Sequence, residues 1–339
     1  MLAALLTTFF FALSAVSGHR LATRLGGIRG NFWRLVVAVT VLGLITALAF
    51  RESLHWPTFR WYFLSGLVGF GLGDVALFLA YERIGSRLTI LLNLCLAPLF
   101  AIATEWAWLG QIPGPWNAAA AAIILTGVGL AIWPRRRQPT HPEQHAHPHH
   151  GLRFAAGVFA ALCAGFGQGV GAVISRRGEL EAHLLGISVN GLSAAFQRVT
   201  AGVLFAALSF WFVSFLGQGL AKRNQKREPS PVTRPPPIKG SLYRWLFAAA
   251  LAGPVIGVSC FQWSLETLNS GIALTIVATT PIAMMPMAWW LEGDIPTRRS
   301  LCGAIIAVLG VGSMQLAHLD FWRKHPAEIA PPAPTSTTP

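Results

Sequence analysis

The sequence predicts an all-α polytopic membrane protein whose ten transmembrane helices form two inverted five-helix repeats. Three observations carry this reading. The 339-residue chain is 53% apolar and only 12% charged, with a mean hydropathy of +0.53; a soluble protein of that size would need far more charge on its surface. Apolar runs with one charge or none recur along it, which marks membrane-spanning helices rather than the short alternating strands of a barrel. The third observation is a duplication. Leu88 to Trp133 reads LTILLNLCLAPLFAIATEWAWLGQIPGPWNAAAAAIILTGVGLAIW, and the same grammar returns between Gly271 and Leu316. At one constant offset Pro98 falls on Pro281, Trp106 on Trp289, Gly110 on Gly293, Ile112-Pro113 on Ile295-Pro296, and Gly127 and Gly129 on Gly310 and Gly312. Shared apolar character alone would not align those residues, so the chain is read as internally repeated.

Taken in order, the predicted spans are 2–17, 34–50, 61–80, 88–108 and 116–133, then 154–174, 199–216, 243–263, 271–291 and 300–317. The first has the look of a secretory signal but lacks a basic leader segment, and its counterpart (Gly157 to Ile174) is internal, so it is read as a true helix. Residues 1–133 form the first repeat and 154–318 the second. Between them, 134–153 is a polar linker with Arg135-Arg136-Arg137 followed by HPEQHAHPHH. Residues 218–242 form a basic, Pro-rich loop and 319–339 a tail of Pro, Thr and Ala; these three segments are too polar and proline-broken to pack a core.

Most Lys and Arg residues fall in alternate connections: Arg20, Arg24, Arg29, Arg34, Arg83, Arg87, Arg135 to Arg137, Arg153, the 222–244 group, Arg298 and Arg299. The opposite side holds Arg51, Arg60, Arg176, Arg177, Arg198, Arg323 and Lys324. The positive-inside rule places the first side in the cytoplasm and both termini outside. It also explains the net charge of +13 without a nucleic-acid partner. An odd number of helices per repeat inverts the second half in the membrane, the plan of secondary transporters, with a site where the halves meet.

Asp74 is the sharpest single residue. It lies in GFGLGDVALFLA, inside an apolar run, where a carboxylate costs roughly 2.5–3.5 kcal/mol on insertion. It must face a polar cavity, be protonated, or pair with a cation, and it is read as a substrate or coupling residue. Pro98 and Pro281 fall midway through spans four and nine. Each leaves a carbonyl without its helical donor, at Leu94 and Val277, and paired broken helices point to a binding site. Thr89 and Asn93 form a polar stripe in span four, and Thr275 and Thr279 another in span nine beside Thr280; Ser259, Gln262 and Glu266 share a face of span eight, and Gln168 stands alone in span six. These either line one cavity or bond helix to helix. The substrate set is therefore Asp74, Thr89, Asn93, Pro98, Gln168, Gln262, Thr279 and Pro281.

Gly66, Gly69 and Gly73 in span three and Gly165, Gly167, Gly169 and Gly171 in span six have the small-residue spacing that lets helices approach closely. Spans five and ten carry almost no polar side chains, which suits a peripheral position facing lipid or a second copy in a homodimer. The histidines His141, His145, His147, His149 and His150 are a secondary metal-binding reading, set against a solvated linker; no cofactor is expected. Cys95, Cys163, Cys260 and Cys302 all lie in apolar runs without CxxC spacing and read as packing residues. No P-loop, GxSxG or HExxH motif is present, so neither an enzyme nor a nucleotide-driven pump is indicated.

Beyond this, GDVALFLAYERIGSRLTILLNLCLAPLFAIATEWAWLGQIP and GVSCFQWSLETLNSGIALTIVATTPIAMMPMAWWLEGDIP followed by GAIIAVLGVG resemble the drug/metabolite transporter superfamily in its EamA-type, ten-helix form. Phe32-Trp33-Arg34 and Phe196-Gln197-Arg198 echo each other near the start of the second helix of each repeat. The resemblance implies a secondary transporter of the bacterial-type inner membrane, exporting a small organic metabolite such as an amino acid derivative or drug. It also implies cytoplasmic termini, opposite to the charge count. The chain departs from the family at Gln111, where a Glu is usual, while Asp294 keeps an acid, which favours a capping role for that turn. The alternatives are a non-transporting scaffold or sensor, and a metal-handling transporter using the His-rich linker.

Overall fold

The structure is a computed structural model that describes residues 1–109, 115–132, 149–224, 242–267, 276–293 and 296–324. Among these there are helices and turns and no strand. The expectations for Gln111, Asp294, Thr275 and His141, His145 and His147 lie outside the described residues, as do those for the side chains of His149, His150 and Glu266.

Helix α1 is Leu2–Leu25 and α2 is Gly27–Ala49, separated by Gly26 at φ 82°, a conformation only glycine takes without strain. A helix Trp56–Gly66 continues as a π-helical stretch, Leu67–Gly73, and then as Asp74–Leu109. That last run is not one rod. Gly85, at φ 79° and ψ 170°, breaks it, so residues 56–84 are α3 and 86–109 are α4. The expected turn between spans three and four is therefore one left-handed glycine. The Thr89 hydroxyl donates to the Gly85 carbonyl at 2.6 Å, satisfying an acceptor freed at the break.

Helix α5 is Pro115–Ile132, α6 is His149–Leu184 and α7 is Gly191–Asn224. Residues 242–267 make α8, with a second π-helical stretch at Leu251–Gly257; α9 is Thr280–Glu292 and α10 is Arg298–Lys324. Three expected boundaries are corrected here. The linker 134–153 ends inside α6, the loop 218–242 begins inside α7, and the tail 319–339 begins inside α10. Helical hydrogen bonding extends a few residues beyond the predicted spans, where Leu, Ala, Lys and Arg are good helix formers even outside lipid.

By length and hydropathy six described stretches can cross a membrane: Leu2–Leu25, Gly27–Ala49, Trp56–Trp108, Gly151–Leu184, Gly191–Phe215 and Leu242–Ser264, with Pro115–Ala131 a shorter apolar helix. The Trp56–Trp108 stretch, 53 residues long, holds both α3 and α4. Exposed Leu44, Leu48, Leu208 and Phe212 fit a lipid-facing surface, and exposed Trp106, Trp108, Trp116, Trp289 and Trp290 fit aromatic belts at its edges.

The two halves meet along the predicted glycines. A Cβ on Gly167 would stand 2.6 Å from the Gly73 Cα, and one on Gly171 3.2 Å from the Gly69 Cα; the Ser65 hydroxyl donates to the Gly171 carbonyl at 2.6 Å. Helix α4 packs along the neighbouring flank of α6, where a Cβ on Gly169 would be 2.3 Å from the Ala97 carbonyl oxygen. Between lipid-bathed helices close approach of backbones, not expulsion of water, supplies the packing energy. Helices α5 and α10 are paired with each other at one side. Gly127 and Gly303 interlock there, each Cβ position lying 2.6 Å from the other's carbonyl oxygen.

Candidate functional site

Helices α1, α2, α3, α4, α6, α7 and α8 enclose a cavity of about 70 Å³. Its polar lining is Ser14, Arg34, Asp74, Tyr81, Asn93, Gln168 and Arg198; its apolar lining includes Phe11, Phe70, Leu77, Val258 and Phe261. Both repeats contribute.

The geometry has a shared logic in the two halves. Each repeat has a π-helical stretch of seven residues, Leu67–Gly73 or Leu251–Gly257, in its third helix. The wider turn leaves backbone room, and a glycine in each stretch lies beside an arginine from the other half. A Cβ on Gly253 would be 3.0 Å from Arg34 Nη1 and 2.4 Å from Ser14 Oγ; one on Gly69 would be 3.5 Å from Arg198 Nη2. π-helical turns inside α-helices occur mainly at functional sites. The residue just after the first stretch is Asp74, and just after the second is Val258. The counterpart of Asp74 is thus one residue beyond Gly257, where the repeat offset alone would put it.

Arg34 donates to Asp74 and, at 3.2 Å, to Asn31 Oδ1, and its guanidinium lies 4.8 Å from the Phe78 ring centroid. Arg198, 4% exposed, lies 5.4 Å from the Phe70 centroid. It lies within electrostatic reach of Asp74 but is in ion-pair contact with no acid among the described residues, and its Nε has no hydrogen-bond partner.

A family model described as the EamA-like transporter family matches residues 1–133 and 155–314. The chain belongs to the EamA-like transporter family. The EamA match falls on the two repeats and supports a multi-pass membrane transporter of the drug/metabolite type. A solved crystal structure of another protein, 18% identical, covers 94% of this chain and 96% of its own at a TM-score of 0.53, which agrees in fold. No curated protein matches this sequence.

Within this EamA-type frame the structure brings Asp74, Asn93 and Gln168 to the cavity. The other residues of the sequence-derived set are not among its lining. Pro98 lies inside α4 without breaking it. Pro281 is not mid-helix but in the first turn of α9, where its missing N–H costs nothing. The Val277 carbonyl accepts from the Thr280 hydroxyl at 2.5 Å and the Ile276 carbonyl from that of Thr279 at 2.6 Å, so both acceptors at the break are satisfied. Gln262 donates to Ser175 at 3.0 Å, a bond between α8 and α6.

The residues that sequence reasoning missed are Arg34 and Arg198. The Phe-x-Arg echo marked both, but each was counted as a connection charge. Burial removes one from each side of that count, so the charge bias stands.

Polar contacts join the two halves at both ends of α4. On one, His19 Nδ1 of α1 is 2.7 Å from Glu292 Oε1 of α9, and Ser86 of α4 donates to Glu292 Oε2 at 2.7 Å. On the other, Tyr62 donates to Glu179 at 2.6 Å, Arg60 to Glu181 at 2.7 Å, Trp61 also to Glu181, and Arg176 of α6 to Glu105 of α4 at 3.2 Å. Ser86 and Glu105 both lie on α4, about 28 Å apart at 1.5 Å per residue. That is close to the thickness of the hydrocarbon core.

Proposed function

We propose that this protein is a secondary active transporter of the bacterial-type inner membrane, with ten crossings in two inverted repeats, that exports a small organic metabolite by alternating access. The observation that carries the reading is a polar cavity between matched halves, with contacts that join the two halves on either side of it. An α1–α9 contact at the His19 end corresponds under the repeat to the α6–α4 contact at the Arg176 end. Releasing one set while keeping the other exposes the cavity to one side only. The glycine seam between α3 and α6 lets the halves move against each other with few interlocking side chains. The His19 end neighbours Arg20, Arg24, Arg83 and Arg87, so the charge bias assigns it to the cytoplasm.

Solute counterflow in liposomes holding the purified full-length protein tests this. A metabolite panel is first screened by thermal stabilisation, and labelled hits are then followed across the bilayer. Saturable uptake above empty liposomes is expected. Absence of flux for every stabilising solute would overturn the transport reading in favour of a membrane sensor.

A further inference from the structure

We propose that the cavity takes a monoanion, a small molecule with one carboxylate on an apolar body, and that Arg198 binds the carboxylate. This rests on the transport reading for the cavity being a substrate site, and it narrows the substrate class. The argument begins with a broken symmetry. In the first repeat Arg34 of α2 meets Asp74, the residue that follows the π-helical stretch of α3. In the second repeat Arg198 of α7 is the matching arginine, and the residue that follows the π-helical stretch of α8 is Val258. Both line the cavity. The half that carries Val258 has the cation and lacks its carboxylate.

Charge and hydrogen bonding agree. Two guanidinium groups and one carboxylate line the space, so it holds a surplus positive charge. Asp74 is engaged by Arg34 and offers little to a substrate ammonium. Arg198 is buried, has an unpartnered Nε and contacts no acid among the described residues. A buried cation with no acid in contact is costly, and the planar guanidinium fork fits a carboxylate in two parallel hydrogen bonds. Asn93 and Gln168 add neutral amides, and Phe11, Phe70 and Phe261 receive an apolar body. The volume of about 70 Å³ is roughly half that of an engineered cavity that holds benzene, so in this conformation the body is a short chain.

Butyrate, 2-aminobutyrate and butylamine share a four-carbon chain and differ in charge, so they separate the classes. Thermal stabilisation of the purified full-length protein reads binding, and counterflow of the same labelled compounds reads transport. Butyrate alone of the three is expected to stabilise the wild type. Arg198→Gln is expected to weaken butyrate at least about tenfold, equivalent to 1.4 kcal/mol. Val258→Asp supplies the missing carboxylate from the protein, so it should abolish the butyrate response while keeping the protein folded. Equal or greater stabilisation by the zwitterion or the amine would overturn the proposal. So would wild-type butyrate binding in either variant, no response to butyrate, or chloride alone reproducing the full shift. Butyrate binding without flux of any of the three would remove the transport reading and leave the anion site standing. Flux of the zwitterion or amine without butyrate binding would do the reverse.

Discussion

Asp74→Asn keeps the shape of the side chain and removes its charge. In the folded protein the Arg34 and Asp74 side chains are in direct contact and only 5% and 14% exposed. Unit charges about 4 Å apart at an effective dielectric near 20 attract by about 4 kcal/mol. Removing one partner of a buried pair costs about 3–5 kcal/mol, because the survivor stays buried and uncompensated. The variant should therefore lower the unfolding midpoint in detergent by roughly 4–7 °C for a chain of this length. The double variant Arg34→Met with Asp74→Asn should recover most of that loss, since replacing both members of a buried pair with uncharged groups is close to neutral. Differential scanning fluorimetry on the size-exclusion-pure monodisperse fraction makes the measurement. An unchanged midpoint for Asp74→Asn, or losses that simply add in the double variant, would refute the assignment of a coupled buried ion pair.

Two further outcomes follow from the same contacts. Gly66→Ala would place a Cβ 1.9 Å from the Arg198 carbonyl oxygen, whereas Gly129→Ala meets nothing within 4 Å. The first should cost about 1–3 kcal/mol through displaced backbone and the second should be neutral, read as the yield of monodisperse protein and its unfolding midpoint. Cutting the contacts at one end should open the cavity from that side. With a single cysteine at Ser14, Glu292→Gln should raise labelling by an impermeant maleimide from the His19 face, and Glu179→Gln with Glu181→Gln should raise it from the opposite face.

How much of the site was legible depended on whether the signal was local. Asp74 stood out because a carboxylate amid apolar residues has few acceptable environments, and one of them, a cation partner, is what the structure provides. The glycines of spans three and six were legible because helix spacing places them on one face; the structure adds that the two faces meet. The Phe-x-Arg echo was visible, yet nothing in one dimension separates an arginine that snorkels to the interface from one turned inward to another helix. Pro98 and Pro281 were legible as prolines, but the accommodation at 281 uses neighbouring threonine hydroxyls rather than a cavity.

By itself, then, the sequence determined the membrane environment, the duplication and the helix order, because these depend on the length and period of apolar runs. The register between the halves was decided only in three dimensions. Matching the two seven-residue π-helical stretches pairs Asp74 with Val258 rather than Gly257, and a glycine in each lies beside an arginine of the other half. Symmetry of the fold is a property of the repeats. The unequal charge in the cavity comes from a single side chain, and only the packed helices show which arginine it leaves with no acid in contact among the described residues.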